Sequence, residues 1–334
     1  MNAEPERHKR ATVIDVARAA GVSRQTVTRA MNDMDGISAA TRQRVLDVAK
    51  ELRYRPSRFG RGLVVGHRPA LGLVTEGLTN PYFPELADGV VEAATAAGWN
   101  VLVTDGSHDG GDPRRFLREV ADQVDAVIGY FRIGPDAFDD VFGDLPVVVL
   151  EGTAEDGHRG VVEIDFAPGL DAGIEHLLET GRRRIVMIDS RSAAAPSRRT
   201  AAFRAAMERH GLDPLVVFEG DSGGDAAGAV ARALREAPDV DAFMTFNDLH
   251  AFAVLKAVQH AGLEVPDRCA VLGIDGLAMG VVSSPELSSL DLDIAAVGRI
   301  AVELAIGMQT GALPSSGPEV HRVVRHTLLL RESA

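Results

Sequence analysis

Cysteine is nearly absent. Cys269 is the one thiol in 334 residues, so no disulfide and no multi-thiolate metal site can form within one chain. It sits in an apolar, strand-like run, which predicts a small buried hydrophobe in a reducing compartment. No apolar stretch is long enough to cross a bilayer, which argues against membrane insertion. The first ten residues are polar and charged and lack the apolar core of a signal peptide. Residues 1–11 are therefore expected to form a flexible, partly basic arm in a cytoplasmic protein. The ten histidines never adopt His-x-x-x-His or His-Glu-x-x-His spacing. Gly60-x-Gly62 lacks the remaining glycine and the acidic ribose partner of a dinucleotide fingerprint. No metal and no cofactor are expected. There is no low-complexity tract and no short-period repeat.

What is present is a divided charge. The net charge is −13, yet residues 1–63 hold 13 Lys and Arg against 7 Asp and Glu. The remainder holds 22 against 41, a balance of −19. A basic end can neutralise phosphates, and an acidic body repels a polyanion and confines contact to that end. An acidic body is also common in soluble proteins.

The basic end contains the most informative stretch, residues 12–32. Thr12 is placed to cap a first helix, with Asp15 three residues on as its capping-box partner. Val13, Val16, Ala17 and Ala20 form an apolar stripe at helical spacing. Gly21 supplies a tight turn, and Val22 plugs the angle. Ser23 caps a second helix. Its Val27, Ala30 and Met31 face inward, and Arg24, Gln25, Thr28 and Arg29 face outward. Ser38 opens a third helix, with Val45, Leu46, Ala49 and Leu52 expected as its buried side. Two short helices around a tight turn, with a polar Arg-bearing second helix, are the form that enters the major groove of DNA. The plainer reading is a solvated helical pair with Arg24 and Arg29 as ordinary surface charge.

From residue 70 the texture changes to alternating strand and helix signals. Apolar runs fall at 71–75, 101–104, 126–129, 147–150, 185–188, 216–218, 242–245, 270–274 and 320–330. Helical patterns fall at 85–97, 113–122, 169–180, 198–210, 225–236, 249–261 and 294–309. This rhythm predicts doubly wound parallel sheets, and the length suits two lobes in series. Ligands on such sheets bind beyond the C-terminal strand ends, which points to the cleft between the lobes.

The whole run 12–63 resembles the lactose-repressor/galactose-repressor (LacI/GalR) family. The residues that carry the likeness are Thr12, Asp15-Val16-Ala17, Ala20-Gly21-Val22-Ser23, Thr26-Val27-Thr28-Arg29, Asn32, Ser38, Thr41-Arg42, Tyr54-x-Pro56-Ser57 and Gly60-Arg61-Gly62-Leu63. The likeness continues in Thr79-Asn80-Pro81-Tyr82-Phe83, His176-Leu177, Gly181-Arg182-Arg183, Phe246-Asn247-Asp248, Val265-Pro266 and Gly273-Ile274-Asp275. It covers residues 12 to 331.

The resemblance implies an N-terminal all-α helix-turn-helix headpiece with a hinge helix, followed by an α/β periplasmic-binding-protein-like core of two doubly wound parallel-sheet lobes. The expected boundaries are headpiece 12–56, hinge helix and linker 57–68, and two-lobed core 69–331. Within the core, lobe 1 takes 69–165 and 293–318, and lobe 2 takes 166–292 and 319–331. The implied partners are near-palindromic double-stranded operator DNA, a small-molecule effector, and a second copy of the chain in a homodimer or higher assembly. Arg24 and Gln25 are expected to read bases. Thr12, Ser23, Thr26, Thr28, Arg29, Asn32, Tyr54 and Ser57 are expected to contact or orient the backbone. By position Leu63 is the wedge that opens a base step.

In the cleft, Arg199, Asn247 and Asp275 are the expected ligand grips, with Asp165 at its side; Tyr82 and Phe83 either cover a sugar face or pack under their loop. The effector class implied is a small polar metabolite, a sugar or sugar derivative first. Three departures from the family pattern stand out: Gly60 for Ala in the hinge, Ser222 where an aromatic is common, and Gly276 for a second Asp. Gly60 and Gly62 each cost a helix roughly 1 kcal/mol, so the hinge is expected to be costly to order.

One motif points to another class. Gly220-Asp-Ser222-Gly-Gly224 fits the Gly-x-Ser-x-Gly nucleophile elbow. Asp248 or Asp275 followed by His321 or His326 would complete a hydrolase order. A third alternative is a sugar-binding protein with a non-functional headpiece. The leading reading is a non-enzymatic, ligand-responsive DNA-binding regulator, a repressor associated with the nucleoid.

Overall fold

The computed structural model describes residues 12–31, 34–52, 54, 68–153, 159–189, 196–219 and 225–334. The expectations for the arm 1–11, Asn32, Ser57, Leu63, the bulk of the hinge and Ser222 lie outside the described residues.

Three helices open the chain: α1 (Val13–Ala20), α2 (Arg24–Met31) and α3 (Ala39–Glu51). Thr12 and Asp15 form the expected reciprocal box. The Asp15 amide donates to Thr12 Oγ1 at 3.3 Å, and the Thr12 amide donates to Asp15 Oδ2 at 2.9 Å. Gly21 ends α1 at φ +64°, a conformation costly for residues with a Cβ. Val16, Val27 and Val45 are fully buried at the centre. Leu46 and Leu52, expected on the buried side of α3, are exposed instead. The inward stripe of α3 is Val45, Val48 and Ala49. Those follow i, i+3, i+4 spacing, and Leu46 lies one helical step round from it.

The core follows with β1 (Ala70–Thr75), α4 (Tyr82–Ala96), β2 (Asn100–Asp105), α5 (Pro113–Ala121), β3 (Ala126–Gly129), α6 (Phe138–Phe142), β4 (Val147–Leu150) and β5 (Gly160–Asp165). The chain then crosses into a second unit: α7 (Ala167–Glu179), β6 (Ile185–Asp189), α8 (Arg198–Arg209), β7 (Leu215–Phe218), α9 (Ala226–Glu236), β8 (Ala242–Thr245), α10 (Asp248–His260), β9 (Ala270–Asp275) and β10 (Ser288–Asp291). It returns with α11 (Ile294–Thr310) and β11 (His321–Arg325), and ends with β12 (Thr327–Leu329).

The sheets are ordered β11-β5-β4-β3-β1-β2 and β12-β10-β9-β8-β6-β7. Each is doubly wound in the same sense. All pairs are parallel except β10 with β12. The expected single run over 320–330 is therefore two strands in two lobes. His321–Arg325 pairs with β5 in the first sheet, and Thr327–Leu329 pairs with β10 in the second. Residues 319–325, assigned from sequence to lobe 2, belong to lobe 1, and His326 is the crossing point.

Crossings after β5, after β10 and at His326 tie the lobes together. Helices α4 and α11 brace lobe 1 through facing glycines. A Cβ on Gly89 would lie 2.7 Å from the Ala295 carbonyl oxygen, and one on Gly298 would lie 2.9 Å from the Val90 nitrogen. Backbone meets backbone there, so no side chain can yield. Gly89→Val should therefore destabilise by about 2 kcal/mol or more, read as a lowered urea midpoint.

Candidate functional site

The headpiece presents one polar face. Arg24 and Gln25 begin α2 and are exposed. Their neighbours are committed. Ser23 Oγ accepts from the Thr26 amide at 3.1 Å and shares a hydrogen bond with Thr26 Oγ1 at 2.9 Å. Thr28 Oγ1 donates to the Arg24 carbonyl at 3.1 Å. Arg29, expected to point outward, is half-buried against the turn at Gly36, where a Cβ would meet its guanidinium at 2.6 Å. Tyr54 packs on the three-helix core, and burial raises its phenol above the usual range.

The second site is a cleft of about 580 Å³ between the lobes. Its lining residues sit just past the C-terminal ends of parallel strands, where doubly wound sheets carry ligands. Glu76 follows β1, Tyr130 follows β3, Glu151 follows β4, Phe246 and Asn247 follow β8, and Asp275 ends β9.

Arg199 is the centre of the cleft. Buried Asp189, at the end of β6, accepts from the Ser197 amide at 3.1 Å and from the Ser197 and Thr200 hydroxyls. That anchor fixes the first turn of α8 and aims Arg199 across the cleft. Its guanidinium carbon lies 4.5 Å from the Phe166 ring centroid and 4.6 Å from that of Phe246. Two such desolvated contacts leave only the edge of the guanidinium free for in-plane hydrogen bonds. One edge position donates to Glu151 Oε1 at 2.7 Å, and Asp275 Oδ1 lies 3.9 Å away. Burial opposes the charge of Arg199, but Glu151 and then Asp275 outweigh it, so the guanidinium holds its proton more tightly than usual. Burial drives the Asp275 carboxyl well above the usual carboxylate range, with Arg199 opposing. Arg199 Nε and Asp275 Oδ1 are buried and have no hydrogen-bond partner, a donor and an acceptor facing the same cleft.

Three non-glycine residues among those described have positive φ: Glu151 (55°), Asp275 (119°) and Asp293 (48°). Two of the three are the acids around Arg199, and local strain of this kind gathers at functional sites. Asn247 caps α10. Its Oδ1 accepts from the His250 amide at 3.0 Å and lies 2.6 Å from His250 Nδ1, which leaves its amide nitrogen toward the cleft. His250 Nε2 lies 3.4 Å from Glu219. On the opposite wall the Tyr82 and Tyr130 hydroxyls meet at 2.8 Å. Burial raises both phenols, so the pair is neutral.

Comparison with known proteins accords with this layout. Residues 12–57 match the model of bacterial regulatory proteins, lacI family, and residues 174–334 match that of a periplasmic binding protein-like domain. The ribose operon repressor of Halalkalibacterium halodurans is 30% identical over 88% of this chain and 89% of its own. The chain belongs to the LacI family. The HTH-type transcriptional regulator CelR of Thermobifida fusca is 30% identical over 98% of this chain and 99% of its own. A LacI family transcriptional regulator from Arthrobacter sp. FB24, solved in complex with lactose, superposes with a TM-score of 0.75 at 36% identity. It covers 80% of this chain and 100% of its own.

As a LacI-family member, the protein is a DNA-binding transcriptional regulator. Its cleft brings together Arg199, Asn247, Asp275, Tyr82 and Phe83 from the sequence-derived set. Asp165 does not join them. It sits at the end of β5, where Arg325 Nε donates to its Oδ2 at 3.2 Å, so it ties two crossing strands. Glu151, Phe166, Tyr130, Phe246 and His250 line the cleft and were not singled out from sequence. The hydrolase alternative is disfavoured because both of its histidines and one of its two acids are committed elsewhere. Asp248 accepts from the Leu277 amide and the Ser289 hydroxyl, His321 pairs with Glu163, and His326 is buried at the lobe crossing. No helix among the described residues is long and apolar enough to cross a membrane.

Proposed function

We propose that this regulator is a repressor whose operator affinity is set by a small polar metabolite, a sugar or sugar derivative, bound in the inter-lobe cleft. The observation that carries the reading is the convergence of Arg199 from the first turn of α8 with Asn247 and Asp275 at strand ends of the same lobe, facing Glu151 on the other. An unpartnered buried donor and acceptor are the groups that ligand hydroxyls satisfy. The lactose complex of the Arthrobacter regulator supports the sugar class.

Two copies of the chain read a near-palindromic operator, with Arg24 and Gln25 at the base edges and the neighbouring hydroxyls orienting α2. The ligand bridges the lobes and shifts their relative position, which alters the affinity for DNA. That coupling is reciprocal, so operator DNA must change ligand affinity by the same factor. A thermal-shift screen of the full chain against a panel of neutral sugars, sugar acids, sugar phosphates and nucleobases tests the ligand class. An unchanged affinity for promoter DNA in the presence of every hit would overturn the regulatory link.

Arg24→Ala should cost about 1–3 kcal/mol of operator binding and relax base preference at one position of each half-site. Fluorescence anisotropy on a set of single-base operator variants reads both effects. Uniform weakening across all variants would instead mark Arg24 as a phosphate contact.

A further inference from the structure

We infer that Glu151 fixes the charge class of the effector: it holds the guanidinium edge that an anionic ligand would need, so the cleft takes an uncharged polyhydroxyl ligand and rejects phosphorylated or carboxylated ones. The inference rests on the cleft being the effector site and narrows what that site accepts.

The charges facing the cleft carry the argument. Among the described residues, Arg199 and Arg198 are the guanidinium groups that line it, and each is engaged by an acid of the opposite lobe. Arg199 donates to Glu151 Oε1 at 2.7 Å. Arg198 donates to the Glu151 carbonyl at 2.9 Å and to Glu163 Oε1 at 3.3 Å, and His321 braces Glu163 from behind at 2.9 Å. Glu76 and Asp275 also line the cleft, so among the described lining residues carboxyl groups outnumber guanidinium groups.

With Phe166 and Phe246 against the guanidinium, a ligand reaches Arg199 only at its edge. An anion arriving there either displaces Glu151 or takes the unpartnered Nε beside it, and in both cases two like charges share one edge of the guanidinium. Like charges held side by side in a partly buried cleft are unfavourable, and a charge set against the wrong partner is a means of discrimination. A hydroxyl meets no such barrier. It can accept from a remaining Arg199 N–H and donate to a neighbouring carboxyl oxygen while the ion pair stays closed. The positive φ of Glu151 shows that the backbone departs from its ordinary conformation to place this carboxylate.

The test uses inorganic phosphate as the probe, so it needs no knowledge of the effector. In the wild-type chain, phosphate should give no saturable thermal shift beyond that of chloride at matched ionic strength. Glu151→Gln should acquire one, with at least ten-fold tighter phosphate binding by calorimetry than the parent. The double variant Glu151→Gln/Arg199→Met should lose it again. Glu151→Asn, whose side chain tolerates the same backbone conformation, carries the test should the Gln variant fail to fold. Saturable phosphate binding by the wild type that Arg199→Met abolishes would overturn the inference. So would a folded Glu151 variant that gains none. Either failure leaves the effector reading standing, because that reading fails only if no metabolite of the panel engages the cleft.

Discussion

Arg199→Met leaves a folded protein that no longer responds to its effector: ligand affinity falls by about two orders of magnitude or more. The size of the effect follows from where the guanidinium sits. Among the described residues it is the one cation within 4 Å of both Glu151 and Asp275, and its edge carries a buried Nε donor with no hydrogen-bond partner there. The ligand loses its hydrogen bonds to a charged donor, each worth roughly 1.5–3 kcal/mol. Methionine keeps an unbranched apolar stem between Phe166 and Phe246, so the packing survives better than with alanine. Lysine will not rescue binding. A compact ammonium cannot lie flat against two rings while donating in plane to two acids. Calorimetric titration with any metabolite that shifts the wild-type melting temperature checks both variants. Operator binding by the unliganded Arg199→Met chain should persist, since α2 and its Arg24 are untouched. An Arg199→Met protein that keeps wild-type ligand affinity would remove Arg199 from the site.

How much of this was legible beforehand depends on which physical rule each residue obeys. The helices around the cleft followed the 3.6-residue period, and most strands were continuous apolar runs bounded by turns, so both were readable. Two strands were not. Ser288–Asp291 has little β-propensity. Its two serines are buried because Ser289 Oγ donates to Asp248 at 2.6 Å and the Ser288 amide donates to Ser333 Oγ at 2.9 Å. Those partners lie 40 or more positions away, beyond any local window. Gly160–Asp165 has Glu163 in its middle, facing His321 of the neighbouring strand. The break at His326 was hidden in the same way, since β11 and β12 form one apolar run in sequence and separate only because they belong to different sheets.

In the cleft, Asn247 and Asp275 were found as polar residues just past parallel strands. The same rule applied without exception would have found Glu151 after Val147–Leu150. The role of Phe166 and Phe246 was beyond sequence. Flanking one guanidinium is a relation between the crossing after β5 and the end of β8 that only the closed fold brings together.

The second large effect is on stability, and it comes from two buried groups that titrate in opposite senses. His326 lies at the lobe crossing, stacked on Phe166 with ring centroids 5.2 Å apart, and neither ring nitrogen has a hydrogen-bond partner. Gly169 lies so close that a Cβ there would come within 2.6 Å of the His326 Cβ. Burial, and then Arg199, push its pKa from 6.5 down to about 3, with Asp165 acting weakly the other way. The unfolded chain therefore takes up a proton below pH 6.5 that the native chain refuses. The stability this histidine contributes is complete above pH 6.5 and is lost as the pH falls toward 3. The loss reaches about 2 kcal/mol by pH 5.

Asp248 does the reverse. Burial lifts its carboxyl from 3.8 to about 7 against the pull of Ser289, Leu277, Gly276 and Arg331. Its contribution is complete below pH 3.8 and disappears as the pH rises through 7. Asp275 is raised in the same sense, so the profile of the parent protein is a sum. Differences between variant and parent isolate each residue. His326→Phe, which keeps an aromatic ring on Phe166, should gain on the parent by about 2 kcal/mol between pH 7.5 and pH 5 in urea melts. Asp248→Asn should lose on the parent by about the same amount over the same interval. A His326→Phe difference that stays constant with pH would mean that the crossing is already hydrated in the native state. In that case the lobes would sample an open form in which His326 meets water, and the same variant would show it as a change in ligand affinity that follows pH.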